Sequence, residues 1–256
     1  MRVLLHLLAV VLAWQSAMVA IAAPDNAITP QSQSEDKAWK TLQTSRISAG
    51  DRLLGERQPE QAIREAFDPL IADYEARYAG SEVTYYSART STEGLAYMLG
   101  VAAEHDRGGK AKTATVLDHL WAYGYYGKAY ALIELGRPDD AMDMLDKALQ
   151  LSPYNPQFLS ERGHIHQIKK EWPEMLRSNL SAQEFTPLAS PEDSRDIEHA
   201  RALRDQGFAL IELDRLEEAE TLFRDSLKLD PTSEMARNEL VYIRKLKSKS
   251  PQNKKK

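Results

Sequence analysis

One spacing of small residues, ending in a proline, recurs three times along this chain of 256 residues. Successive positions within each copy lie 12, 7 and 5 residues apart, and the three copies are Ala129, Ala141, Ala148 and Pro153; Gly163, Met175, Ala182 and Pro187; and Gly207, Ala219, Ser226 and Pro231. The second copy begins 34 residues after the first, and the third begins 44 residues after the second, which is one period plus a ten-residue insertion. A fixed period of this length is typical of stacked repeats, because one unit cannot bury its apolar face alone.

Residues 122–155 indicate what one unit folds into. Gly136 suits the left-handed conformation that ends a helix, and Pro138 suits the first turn of the next helix, where a missing N–H costs nothing. Beyond this turn, apolar residues recur at three- and four-residue spacing, which predicts an amphipathic helix. These residues are Ala141, Met144, Leu145, Ala148 and Leu149, and Pro153 then ends the helix. The unit is therefore predicted to be a hairpin of two helices that packs against its neighbours.

The three copies resemble the tetratricopeptide repeat, a helix–turn–helix unit of 34 residues. The third copy is the best match, and its matching residues are Leu203, Gly207, Leu210, Ala219, Phe223 and Pro231. The second copy departs most, because Lys170 stands where the turn glycine is expected and Met175 replaces a small alanine, so we expect it to be splayed or shifted. The resemblance implies an all-α fold, a short right-handed superhelical solenoid with an extra N-terminal helical segment. Its three repeats cover 122–155, 156–189 and 200–233.

The chain begins with the pattern of a secretory signal. Arg2 provides a positive start, residues 3–14 form an almost continuous apolar run, and residues 20–22 fit the small-residue cleavage rule. We therefore predict a signal peptide at 1–22, cleaved after Ala22, and a bacterial periplasmic location, with secretion as the alternative. An uncleaved membrane anchor is the alternative to cleavage. The chain has no cysteine, which excludes disulfides and lipid attachment through an N-terminal cysteine.

The segment after the signal is polar and rich in proline, serine, glutamine and asparagine. This composition predicts a flexible linker at 23–37.

Residues 38–121 are predicted to form an N-terminal helical region. Within it Gly50 and Ala62 are again 12 residues apart, which indicates a possible degenerate repeat at 43–76. Pro69 weakens this interpretation, because it falls where a helix-packing alanine is expected.

Two further patterns follow in the same region. Residues 83–86 have the composition of a strand but no obvious partner strand. Residues 92–105 predict a helix that carries Leu95, Met98, Leu99 and Ala102 on one face.

The C-terminal part is predicted to cap the solenoid and then to end in a basic tail. A capping helix at 234–246 would place Leu240 and Ile243 against the last repeat, as a stack of repeats requires. The tail at 247–256 is interpreted as a frayed, solubilising end, with contact to anionic lipid or to an acidic partner as the alternative.

Charge is distributed unevenly along the chain. The last thirteen residues carry seven basic residues and no acid, whereas the mature chain before them carries 25 basic and 38 acidic residues, a net charge of −13. Such an acidic body argues against nucleic acid as a partner, because that partner needs a basic face.

None of the common catalytic or metal-binding motifs is present. The sequence lacks a phosphate-binding loop, a dinucleotide glycine pattern, a metalloprotease helix and a cysteine nucleophile. His164 and His166 point to nearly opposite sides of a helix, so they cannot chelate one ion. We therefore predict no enzyme activity, no cofactor and no metal site.

The resemblance also implies a binding surface, because the family is known for a concave groove lined by the first helix of each repeat. The matching positions are Tyr123, Tyr126, Tyr130 and Glu134 in the first copy; Gln157, Ser160, His164 and Gln167 in the second; and Arg201, Arg204, Phe208 and Glu212 in the third. Tyrosines pack at low entropic cost and form hydrogen bonds at their tips, and two arginines three residues apart suit a carboxylate.

There are alternatives to this assignment. The tyrosines would instead pack against the helices of 92–121, and the two arginines would pair with Asp205 or with the acidic insertion at 189–199.

These observations favour a non-enzymatic scaffold or adaptor of the bacterial cell envelope that binds a protein or peptide in the groove. This function rests on family resemblance. One alternative is an enzyme, or an enzyme subunit, with its site in 38–121 and the repeats as a positioning arm. Another is a self-associating structural unit, which an exposed apolar stripe on the terminal helix would favour.

Overall fold

The computed structural model describes residues 30–78, 80–107, 113–188 and 192–249. The predicted signal peptide, the linker residues before Pro30 and the end of the basic tail lie outside these residues. The chain divides into two compact units, residues 1–39 and residues 40–256, and the contacts given below are those of the second unit. None of the helices in the described residues has the length and apolarity that crossing a bilayer requires.

Helices make up most of the described chain, which confirms the predicted all-α fold. In order, the elements are α1 (Pro30–Gly55), α2 (Pro59–Ala62), a π-helical turn (Ile63–Phe67), α3 (Asp68–Tyr78), β1 (Thr84–Ala88), α4 (Ser91–Asp106), β2 (Ala114–Asp118), α5 (Leu120–Glu134), α6 (Pro138–Leu151), α7 (Pro156–Ile168), α8 (Trp172–Phe185), a 3-10 turn (Thr186–Leu188), α9 (Glu192–Glu212), α10 (Leu216–Leu229) and α11 (Glu234–Lys249). The pairs α5–α6, α7–α8 and α9–α10 are the three predicted hairpins.

Every hairpin turns through a residue with positive φ. The four values are 59° at Arg57, 69° at Gly136, 57° at Lys170 and 58° at Asp214. Each of these residues donates its N–H to the carbonyl three residues back, at 2.9–3.0 Å. Lys170 therefore adopts the conformation of the glycine that it replaces, and the second hairpin closes with the same turn as the others rather than with a shifted one.

The N-terminal hairpin contains one extra residue, accommodated by the π-helical turn. Because a π turn adds a residue to the helix, Phe67 occupies the place that Phe223 has in the third repeat. A Cβ on Gly50 would lie 2.5 Å from the Phe67 ring, just as one on Gly207 would lie 2.8 Å from Phe223. Because of this extra residue, the position that holds Ala148, Ala182 or Ser226 in the other repeats corresponds to the fully buried Leu70 and not to Pro69. This packing supports the degenerate repeat at 43–76, which stays a prediction.

The structure gives the predicted strand a partner that the sequence analysis missed. Strand β1 pairs in parallel with β2, with Tyr86 opposite Val116, and α4 forms the crossover between them. Helix α4 approaches the strands closely, since a Cβ on Gly94 would lie 3.1 Å from Val116 Cγ1. A βαβ unit is thus inserted between the N-terminal hairpin and the first clear repeat.

Helix α4 buries the side opposite to its apolar stripe. Leu95 and Leu99 are 60% and 51% exposed, whereas Glu93 and Tyr97 are buried. The prediction that these leucines share a face with Met98 is correct, but the face lies in solvent, because Gly94 permits close packing on the other side.

Both ends of the described chain differ from the prediction. The residues from Pro30 onward, which were assigned to a flexible linker at 23–37, begin α1, since proline suits a first helical turn and no helix breaker follows it. At the other end α11 continues to Lys249. Lys247, assigned to the tail, forms ion pairs with Glu220 at 2.7 Å and Glu217 at 3.3 Å and so ties α11 to α10.

Candidate functional site

The first helices of the three clear repeats, α5, α7 and α9, supply the predicted site residues. We call this side of α5, α7, α9 and α11, marked by Tyr130, His164, Phe208 and Tyr242, the first-helix surface. Of the predicted residues, Tyr130, Glu134 and Glu212 are exposed; Tyr126 and Ser160 are buried; and Tyr123, Gln157, His164, Gln167, Arg201, Arg204 and Phe208 are half-buried.

The predicted tyrosines play different parts. Tyr126 is buried, its ring stacks on Phe158 at 5.0 Å between centroids, and its hydroxyl accepts a hydrogen bond from Gln157 Nε2 at 3.2 Å. Tyr126 therefore packs between α5 and α7. The alternative prediction also had the tyrosines packed, but against the helices of 92–121, which do not contain Phe158 or Gln157. Tyr130 is 38% exposed and available to a partner.

Tyr123 lies between these two cases. Its hydroxyl donates to Asp51 Oδ1 at 3.3 Å, which links α5 to α1. Burial, reinforced by the negative charge of Asp51, raises the pKa of Tyr123 to about 12.

An ion cluster joins α7 and α9 beneath the first-helix surface. The buried Glu161 carboxylate accepts from His164 Nδ1 at 3.0 Å and from Arg201 Nη2 at 3.1 Å, and Arg201 Nε lies 3.6 Å from Asp205 Oδ2. Glu161 and Asp205 were not among the predicted site residues. One arginine therefore serves two carboxylates that sequence reasoning did not assign to the site.

The electrostatics of the two carboxylates differ. Burial opposes ionisation of Glu161, but the donors His164 and Arg201 outweigh it and hold its pKa below the usual range. Burial dominates at Asp205 and raises its pKa to about 6, despite the nearby arginines. The Glu161 carboxylate in turn raises the pKa of His164.

Arg201 and Arg204, the two arginines of the predicted fork, have separate partners within the chain. Arg204 Nη1 lies 3.0 Å from Asp230 Oδ2 at the end of α10, and the Arg204 side chain is 15% exposed. Arg201 pairs instead with Glu161 and Asp205. Each arginine thus meets its own acid, and the pairing with Asp205 is the alternative that the sequence analysis kept open.

The capping helix extends the same surface, which the sequence analysis missed. Met235 and Tyr242 follow Arg201 and Phe208 by one 34-residue period, and they are 62% and 47% exposed. Carrying the period into the capping helix would have found both. Beside them, burial and the charge of Glu212 raise the pKa of Glu239.

A second polar cluster lies in the inserted βαβ unit. Arg89 Nη1 lies 2.9 Å from Glu198 Oε1 on α9, and Glu93 is fully buried beside Arg89. Glu93 Oε2 accepts from the Arg89 backbone N–H at 2.6 Å, and the Glu93 N–H donates to Thr90 Oγ1 at 3.0 Å. These bonds cap α4. The Arg89–Glu198 pair joins the βαβ unit to the insertion at 189–199.

The two neighbouring histidines have separate partners. His164 pairs with Glu161, whereas His166 Nδ1 lies 2.7 Å from Glu171 Oε2. Among the described residues, no group of three or more side chains is placed to hold a metal ion.

A stack of helical hairpins with one shared side-chain surface defines a repeat solenoid, and comparison with known proteins agrees. Two family models described as tetratricopeptide repeat match residues 122–165 and 200–233. These matches identify the two segments as similar to tetratricopeptide repeats, and the helical hairpins of the fold agree with them. No curated protein matches the sequence.

Several solved structures resemble the chain. The structure from a functional characterisation of Pseudomonas aeruginosa PilF is 15% identical with a TM-score of 0.54, and the match covers 80% of this chain and 68% of that one. A double mutant of MamA RS-1 is 16% identical with a TM-score of 0.50, covering 81% and 85%. The first TPR of Spaghetti (RPAP3), bound to the HSP90 peptide SRMEEVD, is 24% identical with a TM-score of 0.45, covering 52% and 97%. The first two likenesses show the fold alone.

Proposed function

We propose that the protein is a non-enzymatic adaptor that binds a segment of another protein on the first-helix surface. The observation that carries this proposal is the series of exposed side chains along that surface. Tyr130 on α5, Met235 and Tyr242 on α11 are large and apolar or aromatic, yet 38%, 62% and 47% exposed. Side chains of this kind supply contact area at low entropic cost and are enriched at protein interfaces.

The positions of these residues support a single elongated partner segment. Helices α5, α7, α9 and α11 each contribute to the surface, so a ligand that follows it meets the three clear repeats and the capping helix in turn. The Glu161–Arg201 pair and the stacking of Tyr126 on Phe158 hold successive first helices together. The surface is therefore built before a partner arrives, which lowers the entropic cost of binding.

The proposal also includes a place of action, the bacterial cell envelope. It rests on the signal-like residues 1–22, which predict export to the periplasm after cleavage at Ala22, or secretion as the alternative. N-terminal sequencing of the protein recovered from a periplasmic fraction tests this part. An N-terminus at Ala23 supports it, and an intact Met1 in the cytoplasmic fraction overturns it.

Site-directed photocrosslinking tests the binding surface. A photoreactive phenylalanine analogue replaces Tyr130 or Tyr242 on the surface, or the control residue Leu180, which is 49% exposed on α8, a second helix. We expect both surface positions to form an adduct with the same partner protein in living cells. Mass spectrometry of the adduct identifies the partner and its contacting segment. Adducts from Leu180 alone, or from no position, would overturn the proposal.

Self-association is the second candidate function. Met235, Val241 and Tyr242 on the terminal helix are 62%, 41% and 47% exposed, which is the feature that favours this alternative. The same experiment separates the two, since an adduct between two copies has twice the mass of one chain. Such an adduct from Tyr242, without any other partner, would favour self-association.

A further inference from the structure

The charges on the first-helix surface point to the chemistry of its partner. The surface presents the exposed carboxylates of Glu134 on α5 and Glu212 on α9, and among the described residues neither forms an ion pair. Burial raises the pKa of Glu239 on α11, and the negative charge of nearby Glu212 adds to this effect. Beneath the surface lie Glu161 and Asp205, which share one arginine.

The two arginines of the first-helix surface are already engaged. Arg201 is divided between Glu161 and Asp205, and Arg204 is paired with Asp230 at 3.0 Å. Neither guanidinium is free to fork onto a carboxylate of a ligand. A negatively charged segment would therefore meet the unpaired carboxylates of Glu134 and Glu212 with neither arginine free to compensate, and like charges brought together in this way repel.

Apolar side chains accompany these carboxylates. Tyr130 is four residues before Glu134, one helical turn away, and Tyr242 is three residues after Glu239. Long basic side chains suit this combination, because their methylene stems lie along apolar or aromatic surface while their charged ends reach carboxylates. The carboxylates therefore favour a positively charged side chain, and the neighbouring tyrosines favour one with a long apolar stem.

We infer that the first-helix surface binds a cationic, partly apolar protein segment rich in lysine or arginine, rather than an acidic one. This inference rests on the proposed function and adds the chemical class of the partner. The charge of the body agrees with it, since the mature chain before the basic C-terminus carries a net charge of −13. Long-range attraction from this acidic body also speeds the encounter with a basic segment.

Binding of defined peptide mixtures to the purified protein tests the inference. Three fluorescent twelve-residue mixtures share the same leucine and tyrosine positions and differ in the remaining positions, which are lysine, glutamine or glutamate. Fluorescence anisotropy at low salt measures their affinities. We expect the lysine mixture to bind best and to lose affinity as salt increases.

Two double substitutions that change the net charge of the protein by the same amount show where the peptide binds. Glu134→Lys with Glu212→Lys reverses charge on the surface, whereas Asp143→Lys with Asp146→Lys makes the same change at exposed positions of α6, a second helix. We expect the first pair to weaken binding of the lysine mixture by about tenfold or more and the control pair to leave it within about twofold. Equal effects of the two pairs would overturn the inference, because they would report net charge alone.

The failure of this inference is distinguishable from failure of the proposed function. If the glutamine or glutamate mixture binds as tightly as the lysine mixture, and Tyr130→Ala with Tyr242→Ala abolishes that binding, the surface binds peptides but the cationic preference is wrong. If the lysine mixture does not bind at all, the cationic preference is again wrong, and the photocrosslinks then decide the proposed function independently.

Discussion

Arg201 on α9 donates a hydrogen bond to the carboxylate of Glu161 on α7, forty residues earlier, with 3.1 Å between Nη2 and Oε2. The Glu161 side chain is 3% exposed and the Arg201 side chain 37%. The pair therefore ties two successive first helices together where water screens it little. Breaking such a pair from one side leaves a partly buried charge without its partner.

Glu161→Leu should lower the free energy of unfolding by about 2–4 kcal/mol, because it removes the acceptor of both Arg201 and His164. Glu218→Leu is the control, since Glu218 pairs with Arg215 at 2.7 Å on an exposed surface. We expect the control to change stability by about 0.5 kcal/mol or less. Urea unfolding followed by circular dichroism measures both, and equal losses would show that the Glu161 pair is no stronger than a surface one.

Lys170→Gly should stabilise the protein by about 1 kcal/mol. Lys170 has a φ of 57°, in the left-handed region where a side chain is strained and glycine is not. Gly136→Ala is the reciprocal change at a φ of 69° and should destabilise by a similar amount. Thermal unfolding should therefore move in opposite directions, by roughly 2–4 °C for a chain of this size. A lower melting temperature for Lys170→Gly would contradict the prediction.

Gly163→Ala should destabilise the second hairpin by about 1–3 kcal/mol. A Cβ at this position would lie 2.3 Å from Asn179 Nδ2. Asn179 is fully buried and donates from Nδ2 to the Met175 carbonyl at 3.0 Å, so it cannot move aside cheaply.

The matched change is Gly55→Ala, where an added Cβ would meet nothing within 4 Å. It should be neutral or slightly stabilising, by up to about 1 kcal/mol, since alanine favours helix. Chemical denaturation compares the two variants. A neutral Gly163→Ala would mean that α7 and α8 are less tightly packed than the structure has them.

Asp205 should make stability depend on pH between about 4 and 6.5. Its pKa is raised from 3.8 to about 6 by burial, although Arg201, Arg204 and His164 favour its ionised form and Glu161 opposes it. The folded state thus holds the proton more tightly than the unfolded state. As pH rises through this window, ionisation of Asp205 costs stability in the folded state, so its contribution falls.

Asp205→Asn replaces the titrating carboxyl group with an amide that does not ionise. The stability of the native protein relative to this variant should therefore fall as pH rises from about 4 to about 6.5. Urea unfolding at a series of pH values measures the difference. Asp146→Asn, at an exposed position of α6, is the control and should show a constant difference. A constant difference for Asp205→Asn as well would contradict the raised pKa.

Arg89→Met should loosen the inserted βαβ unit without unfolding the repeats. Arg89 is the link between this unit and Glu198 on α9, at 2.9 Å. We expect amide exchange in β1 and β2 to accelerate about tenfold or more, while α10 keeps its protection. Arg224→Met, at a largely exposed arginine of α10, is the control and should leave the strands unchanged. Equal acceleration in both variants would rule out the link.

The helical hairpins could be predicted because their signals are local. The 12, 7 and 5 spacing, the turn at Gly136 and the apolar stripes each involve residues within one period. The predicted all-α solenoid is therefore confirmed. By contrast, β1 pairs with β2 thirty residues later in the chain, as Thr84 does with Ala114. The five residues of β1 are β-prone but carry no local signal that identifies the strand they pair with. The π-helical turn was equally hidden, since only packing of Phe67 against Gly50 reveals the extra residue.

From the sequence, the family resemblance indicated three of the helices assigned to the candidate surface, α5, α7 and α9, but not α11. Helical geometry puts one in three or four residues of each helix on that side. Only the tertiary structure decided which of those residues remain accessible. Tyr126 and Tyr130 are four apart on the same helix, yet Tyr126 is buried against Phe158 whereas Tyr130 is 38% exposed. The ion pair of Arg204 with Asp230 was likewise not predictable, because burial and ion pairing depend on neighbours from other helices, which no local pattern specifies.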